Sequence, residues 1–240
     1  MNRLSLERYE LVESALTELV DQLFFKDSFF QSLLTGSYSM RQIRYFAVQY
    51  SYYSRHFPRV LGAAICAMAP YSSWWIPLAD NLWDEAGRGE PGQSHEDLYK
   101  TFLLSVDEDL AFDPSGLPVE PMSPAVSKAI TTFIDFFQSA TPLQAMAAVG
   151  LGSEMFAGQV MGTIGRGLRH THYNKERQLS TLFWDVHADE HEPRHYQLCK
   201  DILVQHESRE ELETMFQVGA AIATSEAAMY RQLHEEMMSL

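Results

Sequence analysis

Only two cysteines, Cys66 and Cys199, occur in 240 residues, and they lie far apart in sequence. That argues against a disulfide framework, rules out a structural zinc site built on thiolates, and suits a reduced, cytoplasmic protein. Positive charge is scarce as well: 18 Lys and Arg stand against 32 Asp and Glu, a formal net charge of -14. A nucleic-acid partner, which needs clustered positive charge to meet a phosphate backbone, is not expected. Long apolar runs are also missing. Residues 60–79 carry no charge, yet Pro70, Pro77 and the Ser72-Ser73 pair are expected to break them into two short core helices, so no membrane span is expected. The first residues alternate charged with apolar side chains, and no export signal is expected there. Alternating β-branched runs that would build a sheet are absent too.

What the chain does have is helix punctuation. Ser39-Met-Arg-Gln42, Thr141-Pro-Leu-Gln144 and Ser208-Arg-Glu-Glu211 each place a hydroxyl where it can bond the first helical turn and an amide or carboxyl three residues on to bond back. Pro124 and Pro142 fall at first helical positions, where a missing amide hydrogen costs nothing. These signals predict helices over about 5–33, 39–68, 72–86, 95–106, 123–139, 142–168, 176–204 and 208–238, with polar loops at 106–122 and 170–175. With 46% hydrophobic residues the chain can bury a large core, and nothing in it resembles an interdomain linker. Residues 1–240 therefore read as one all-α domain, a bundle of about seven to eight helices.

The chemistry begins with Glu154, the sole charged side chain between Leu143 and Gly165. A carboxylate in an apolar helix has to be paired, neutralised or bound to a cation. Candidate partners lie elsewhere. Glu85 and His95 flank Gly87-Arg88-Gly89, a reversal that can turn both toward one side. The third group is Phe183-Trp-Asp-Val-His187-Ala-Asp189-Glu-His191-Glu192-Pro-Arg-His195. On a regular helix His187, His191 and His195 fall at about 0°, 40° and 80°, and Glu192 near 140°. But Pro193 would clash with the carbonyl of Asp189, so a kink or a π-bulge is expected. A bulge that absorbs one residue brings His187, Glu192 and His195 together. The face His187, His191, His195, with Asp189 nearby, stays open as the alternative. Three carboxylates and three imidazoles form a ligand set suited to two non-haem irons.

Phe57-Pro-Arg-Val-Leu61, Asn81-Leu-Trp-Asp-Glu85-Ala-Gly87 followed by His95 and Leu98, the mid-helix Glu154, and Phe183-Trp184 ahead of His187 resemble the haem-oxygenase-like diiron oxidases and oxygenases. The resemblance covers about residues 40–200. It implies a haem-oxygenase-like bundle with a central dimetal site, and Glu85, His95, Glu154 and His187 as ligands to two Fe(II)/Fe(III) ions. The last element departs from the family's His-x3-Asp-x2-His, since this chain reads His187-x4-Glu192-x2-His195. The resemblance further implies O2 as co-substrate and a small amino-acid-like substrate; whether an external reductant takes part is left open. The most specific expectation is oxidative rearrangement of an aromatic amino acid, tryptophan or bromotryptophan, to a nitrile in natural-product biosynthesis. N-oxygenation, desaturation or C–C cleavage of another amino acid, amine or fatty acid is the alternative.

Around this centre, Phe46, Gln49, Tyr50, Tyr53, His56 and Phe57 recur at helical spacing and could wall an indole-sized pocket, although such stripes also serve as plain core. Arg88 could fork onto a substrate carboxylate. His172, in the loop after the Glu154 helix, could close over the metals. Two readings from other classes compete. A metal-free thiaminase-like enzyme would need a Cys activated by its surroundings, and neither Cys66 nor Cys199 has one in sequence. A non-catalytic binding protein would have no reason to bury Glu154. Both a monomer and a homodimer remain open.

Overall fold

The three capping boxes form as their spacing predicts and open α3 (Met40–Met68), α7 (Pro142–Val149) and α11 (Arg209–Met238). Each cap satisfies amide hydrogens that the helix itself leaves unpaired, worth about 1 kcal/mol apiece. The structure is a computed structural model that describes residues 6–240, except for the side chains of 190–192. The remaining helices are α1 (Tyr9–Val20), α2 (Ser28–Leu34), α4 (Ser72–Glu85), α5 (His95–Val106), α6 (Pro124–Phe137), α8 (Met155–Leu168), α9 (Leu182–Val186) and α10 (Glu192–Leu203). Among the described residues the one β feature is an isolated bridge between Phe112 and Pro118 in the loop joining α5 to α6. No helix among them is long and apolar enough to cross a membrane.

The long helices α3 and α11 organise the rest. Helix α3 packs on α4, α5, α6 and α7, while α11 covers α6, α7 and α1. Aromatic side chains fill one end of the interior, where Phe29, Phe46, Tyr50, Trp184 and Tyr230 are almost fully buried. A second cluster is mainly aliphatic, around Leu16, Leu61, Leu78, Val149 and Leu151, with Tyr9, Phe133 and Phe137 among its members.

Four local features differ from expectation. The N-terminal helix does not run unbroken to residue 33, because Asp27 accepts a hydrogen bond from the Phe29 amide and starts α2 afresh. Pro77 does not break α4, which continues through it; the chain turns earlier, at residues 69–71, between α3 and α4. The helix expected from residue 176 begins only at Leu182. And α7 passes into α8 through a π-turn, Gly150–Glu154, that no sequence signal announced. Glycine makes this turn packable: a Cβ at Gly152 would lie 2.7 Å from Ile222 Cβ of α11, and one at Gly150 would lie 2.6 Å from Cys199 Cβ of α10. Close approach of three backbones thus holds the turn that carries Glu154.

Candidate metal centre

Glu85 is the last residue of α4 and His95 the first of α5. Between them Gly87, Arg88 and Gly89 form a tight turn with positive φ at all three positions, 63°, 52° and 81°. That conformation is cheap only for glycine, so the Gly-x-Gly spacing makes the reversal affordable. Ser94 accepts from the Asp97 amide and fixes the start of α5. The result is a contact of 2.9 Å between Glu85 Oε2 and His95 Nδ1, with both side chains buried.

The bulge expected ahead of Pro193 is present. Residues His187–His191 form a π-turn between α9 and α10. It buries both His187 and His195, at 3% and 1% exposure. His187 Nδ1 lies 2.6 Å from the Phe183 carbonyl. A carbonyl only accepts, so Nδ1 carries the hydrogen and the neutral ring presents the Nε2 lone pair. That Nε2 faces His95 Nδ1 at 3.0 Å. Donors from α4, α5 and the bulge therefore meet in one buried place.

Glu154, 2% exposed, stands at the end of the π-turn between α7 and α8. Its Oε1 accepts from Asn81 Nδ2 at 2.7 Å, and its Oε2 lies 3.7 Å from His195 Nδ1. The other nitrogen of His195, Nε2, contacts Asp84 Oδ2 at 3.1 Å. Asp84 in turn pairs with Arg88 and Arg194, which also reach Asp80. A ring held from behind by a carboxylate presents its remaining nitrogen in a fixed direction, the usual support of a metal-binding imidazole.

A narrow pocket, partly open to solvent, joins these groups. Glu85, His95, Glu154 and His187 line it, together with Tyr50, Tyr53, Phe57, Met161, Phe183 and Glu226. Burial pushes the Tyr50 and Tyr53 phenols well above their ordinary range. Burial first, and the charge of Glu154 second among the raising causes, lift Glu226 to about 8.

The other sequence candidates lie elsewhere. Asp189 and His172 are exposed, and the His172 ring sits beside Lys175. Gln49 is spent on the Pro121 carbonyl and the Ser123 amide. His56 lines a separate cavity with Arg59 and Ile130. Arg88 is committed to Asp80 and Asp84, outside the pocket. The side chains of His191 and Glu192 lie outside the described residues.

In chemical kind, carboxylates beside imidazoles with lone pairs turned inward fit a redox-active divalent metal. Among the described residues no three of them form a ready-made metal cluster; they pair with one another instead. A family model described as iron-containing redox enzyme matches residues 44–226, more than half of the chain. The chain belongs to the iron-containing redox enzyme family. All the donors named above fall within the matched residues, Glu226 at their very end.

Solved structures with the same fold support the assignment of architecture. A domain of unknown function from Shewanella denitrificans with a haem-oxygenase-like fold superposes with a TM-score of 0.71 at 15% identity, over 95% of this chain and 92% of that one. A CADD-like protein of unknown function from Nostoc punctiforme gives 0.70 at 19% identity, over 93% and 97%. A TenA homologue from Pseudomonas syringae gives 0.67 at 14%, over 96% and 92%. The fold is thus all-α and haem-oxygenase-like. No curated protein matches the sequence.

In this member of the family three site residues escaped the sequence reading. Asn81 and Asp84 precede Glu85 by four residues and one, so Asn81 shares its helical face, a spacing that could have flagged it. Glu226 satisfies the same criterion as Glu154, since it is the only charged side chain between Glu213 and Arg231.

Proposed function

We propose that this member of the iron-containing redox enzyme family is a non-haem diiron, O2-dependent oxidase or oxygenase acting on a small amino-acid-like substrate. The observation that carries the reading is the meeting of Glu85, His95 and His187, from three separate elements, in the pocket that Glu154 also lines. Glu85, His95, Glu154, His187 and His195 would hold the metal, with Glu192 completing the set. Iron bound by such ligands supplies one-electron redox chemistry and open positions for dioxygen.

The chain's own residues supply the rest. Phe183 fixes the tautomer of His187, Asp84 orients His195, and Asn81 holds one oxygen of Glu154. Tyr50, Tyr53, Phe57 and Phe183 give the pocket aromatic walls that limit water and match a planar ring. Those walls favour an aromatic amino acid, and rearrangement of tryptophan or bromotryptophan to a nitrile is the most specific form of the proposal. A metal-free mechanism built on a thiol is disfavoured, because burial pushes the Cys199 thiol well above its ordinary range and Cys66 does not line the pocket.

Anaerobic loading with Fe(II), followed by O2-uptake measurements with a panel of free amino acids, tests the reading. Iron-dependent uptake accelerated by an aromatic amino acid is expected, and abolished in Glu154→Ala and His195→Ala. Iron content unchanged in Glu154→Ala would remove that carboxylate from the metal site.

A further inference from the structure

Glu226 reaches the pocket from α11, an element that contributes none of the metal-binding candidates. Its side chain is nine-tenths buried beside the Tyr53 phenol, and its Oε2 has no hydrogen-bond partner. A buried carboxyl oxygen left unpaired is rare in native interiors and calls for a missing partner. Among the described residues no Lys or Arg lines the pocket, so the protein offers no permanently charged group to complete the pair there. The neighbouring walls, Tyr50, Tyr53, Phe57 and Phe183, are π-faces, which attract an organic cation without competing for its hydrogen bonds.

We propose that Glu226 is the ammonium-binding group of this pocket, and that the substrate is a primary amine, the free amine of an amino acid included. The aromatic walls take its carbon skeleton while the orphaned oxygen takes its nitrogen, the carboxyl giving up its proton to solvent as the ammonium enters. This deepens the function proposed above and shares its pocket, but it needs no metal: the subsite is built from side chains of α3, α9 and α11.

The test is calorimetric binding of tryptamine, 2-phenylethylamine and hexylamine to the full chain, each against its neutral counterpart, tryptophol, 2-phenylethanol and hexanol. Anaerobic Fe(II)-loaded protein and chelator-treated protein are both titrated. At least one amine is expected to bind about tenfold or more tightly than its alcohol, as a charge-assisted hydrogen bond gives. Glu226→Gln, which keeps the size and the Tyr53 contact, is expected to erase that preference and leave alcohol binding within about twofold. The proposal is overturned if no amine outbinds its alcohol on the wild-type chain, or if the preference survives in Glu226→Gln with its helical circular dichroism intact. Loss of iron from Glu226→Gln would reassign the carboxyl to the metal and also overturn it. The iron reading fails separately: an amine preference in a chain that takes up no iron leaves the subsite standing and removes the diiron centre.

Discussion

Glu226 also makes a quantitative test of how the pocket is charged in metal-free protein. Its carboxyl is raised from the usual 4.5 to about 8 by burial, with the charge of Glu154 adding to the effect and the Tyr53 hydrogen bond opposing it. Tyr50 and Tyr230 are the other titratable groups packed around it, and both stay neutral to high pH. The folded chain therefore keeps a proton that the unfolded chain releases above 4.5. Stability attributable to this residue falls as pH rises from about 4.5 and levels off above about 8. At about 1.4 kcal/mol per pKa unit, the cost at pH 9 is on the order of 2 to 5 kcal/mol. Glu226→Gln removes it. In metal-free protein the variant is expected to gain roughly 5 to 15 °C in Tm over wild type at pH 9 relative to any gain at pH 5. Scanning calorimetry at the two pH values checks this, since other titrations are common to both chains and cancel. An equal offset at pH 5 and pH 9 would mean that the carboxyl is not held neutral, and the description of the pocket would be wrong.

Further outcomes follow from named contacts. Asn81→Ala removes the amide on Glu154 Oε1 and is expected to weaken iron binding about 10- to 100-fold with helix content unchanged, read by competition with a chelator. Gly152→Ala drives a methyl to within 2.7 Å of Ile222 Cβ, with an expected loss of about 1 to 3 kcal/mol in denaturant unfolding. An unchanged midpoint would show that α11 can move away. Cys199→Ala is expected to leave iron-dependent O2 uptake within about twofold of wild type, whereas abolished uptake would bring a thiol into the chemistry.

Much of this centre was legible because its devices are local. Gly87 and Gly89 announce the reversal between Glu85 and His95, and Pro193 announces the π-turn that buries His187 and His195 together. Caps set the main helix starts for the same reason. What sequence could not reach is which side chain is already spent on a neighbour. Gln49, His56 and Arg88 have the right types at plausible spacings, yet the first bonds the backbone near Ser123, the second accompanies Arg59, and the third neutralises Asp80 and Asp84. The π-turn at Gly150–Glu154 depends on contacts with Ile222 and Cys199, distant in sequence, so no local signal marks it. Glu226 carries the same local signal as Glu154, a single charge in an otherwise uncharged stretch of helix.

Metal content and Mössbauer spectra of chain reconstituted anaerobically with 57Fe(II) bear most directly on the centre. Two ferrous ions per chain with the signature of magnetic coupling are expected, both lost in His95→Ala and His187→Ala variants that remain folded. A wild-type chain that holds no iron, or whose iron survives both substitutions, would contradict the assignment of these buried imidazoles and carboxylates to a dimetal site.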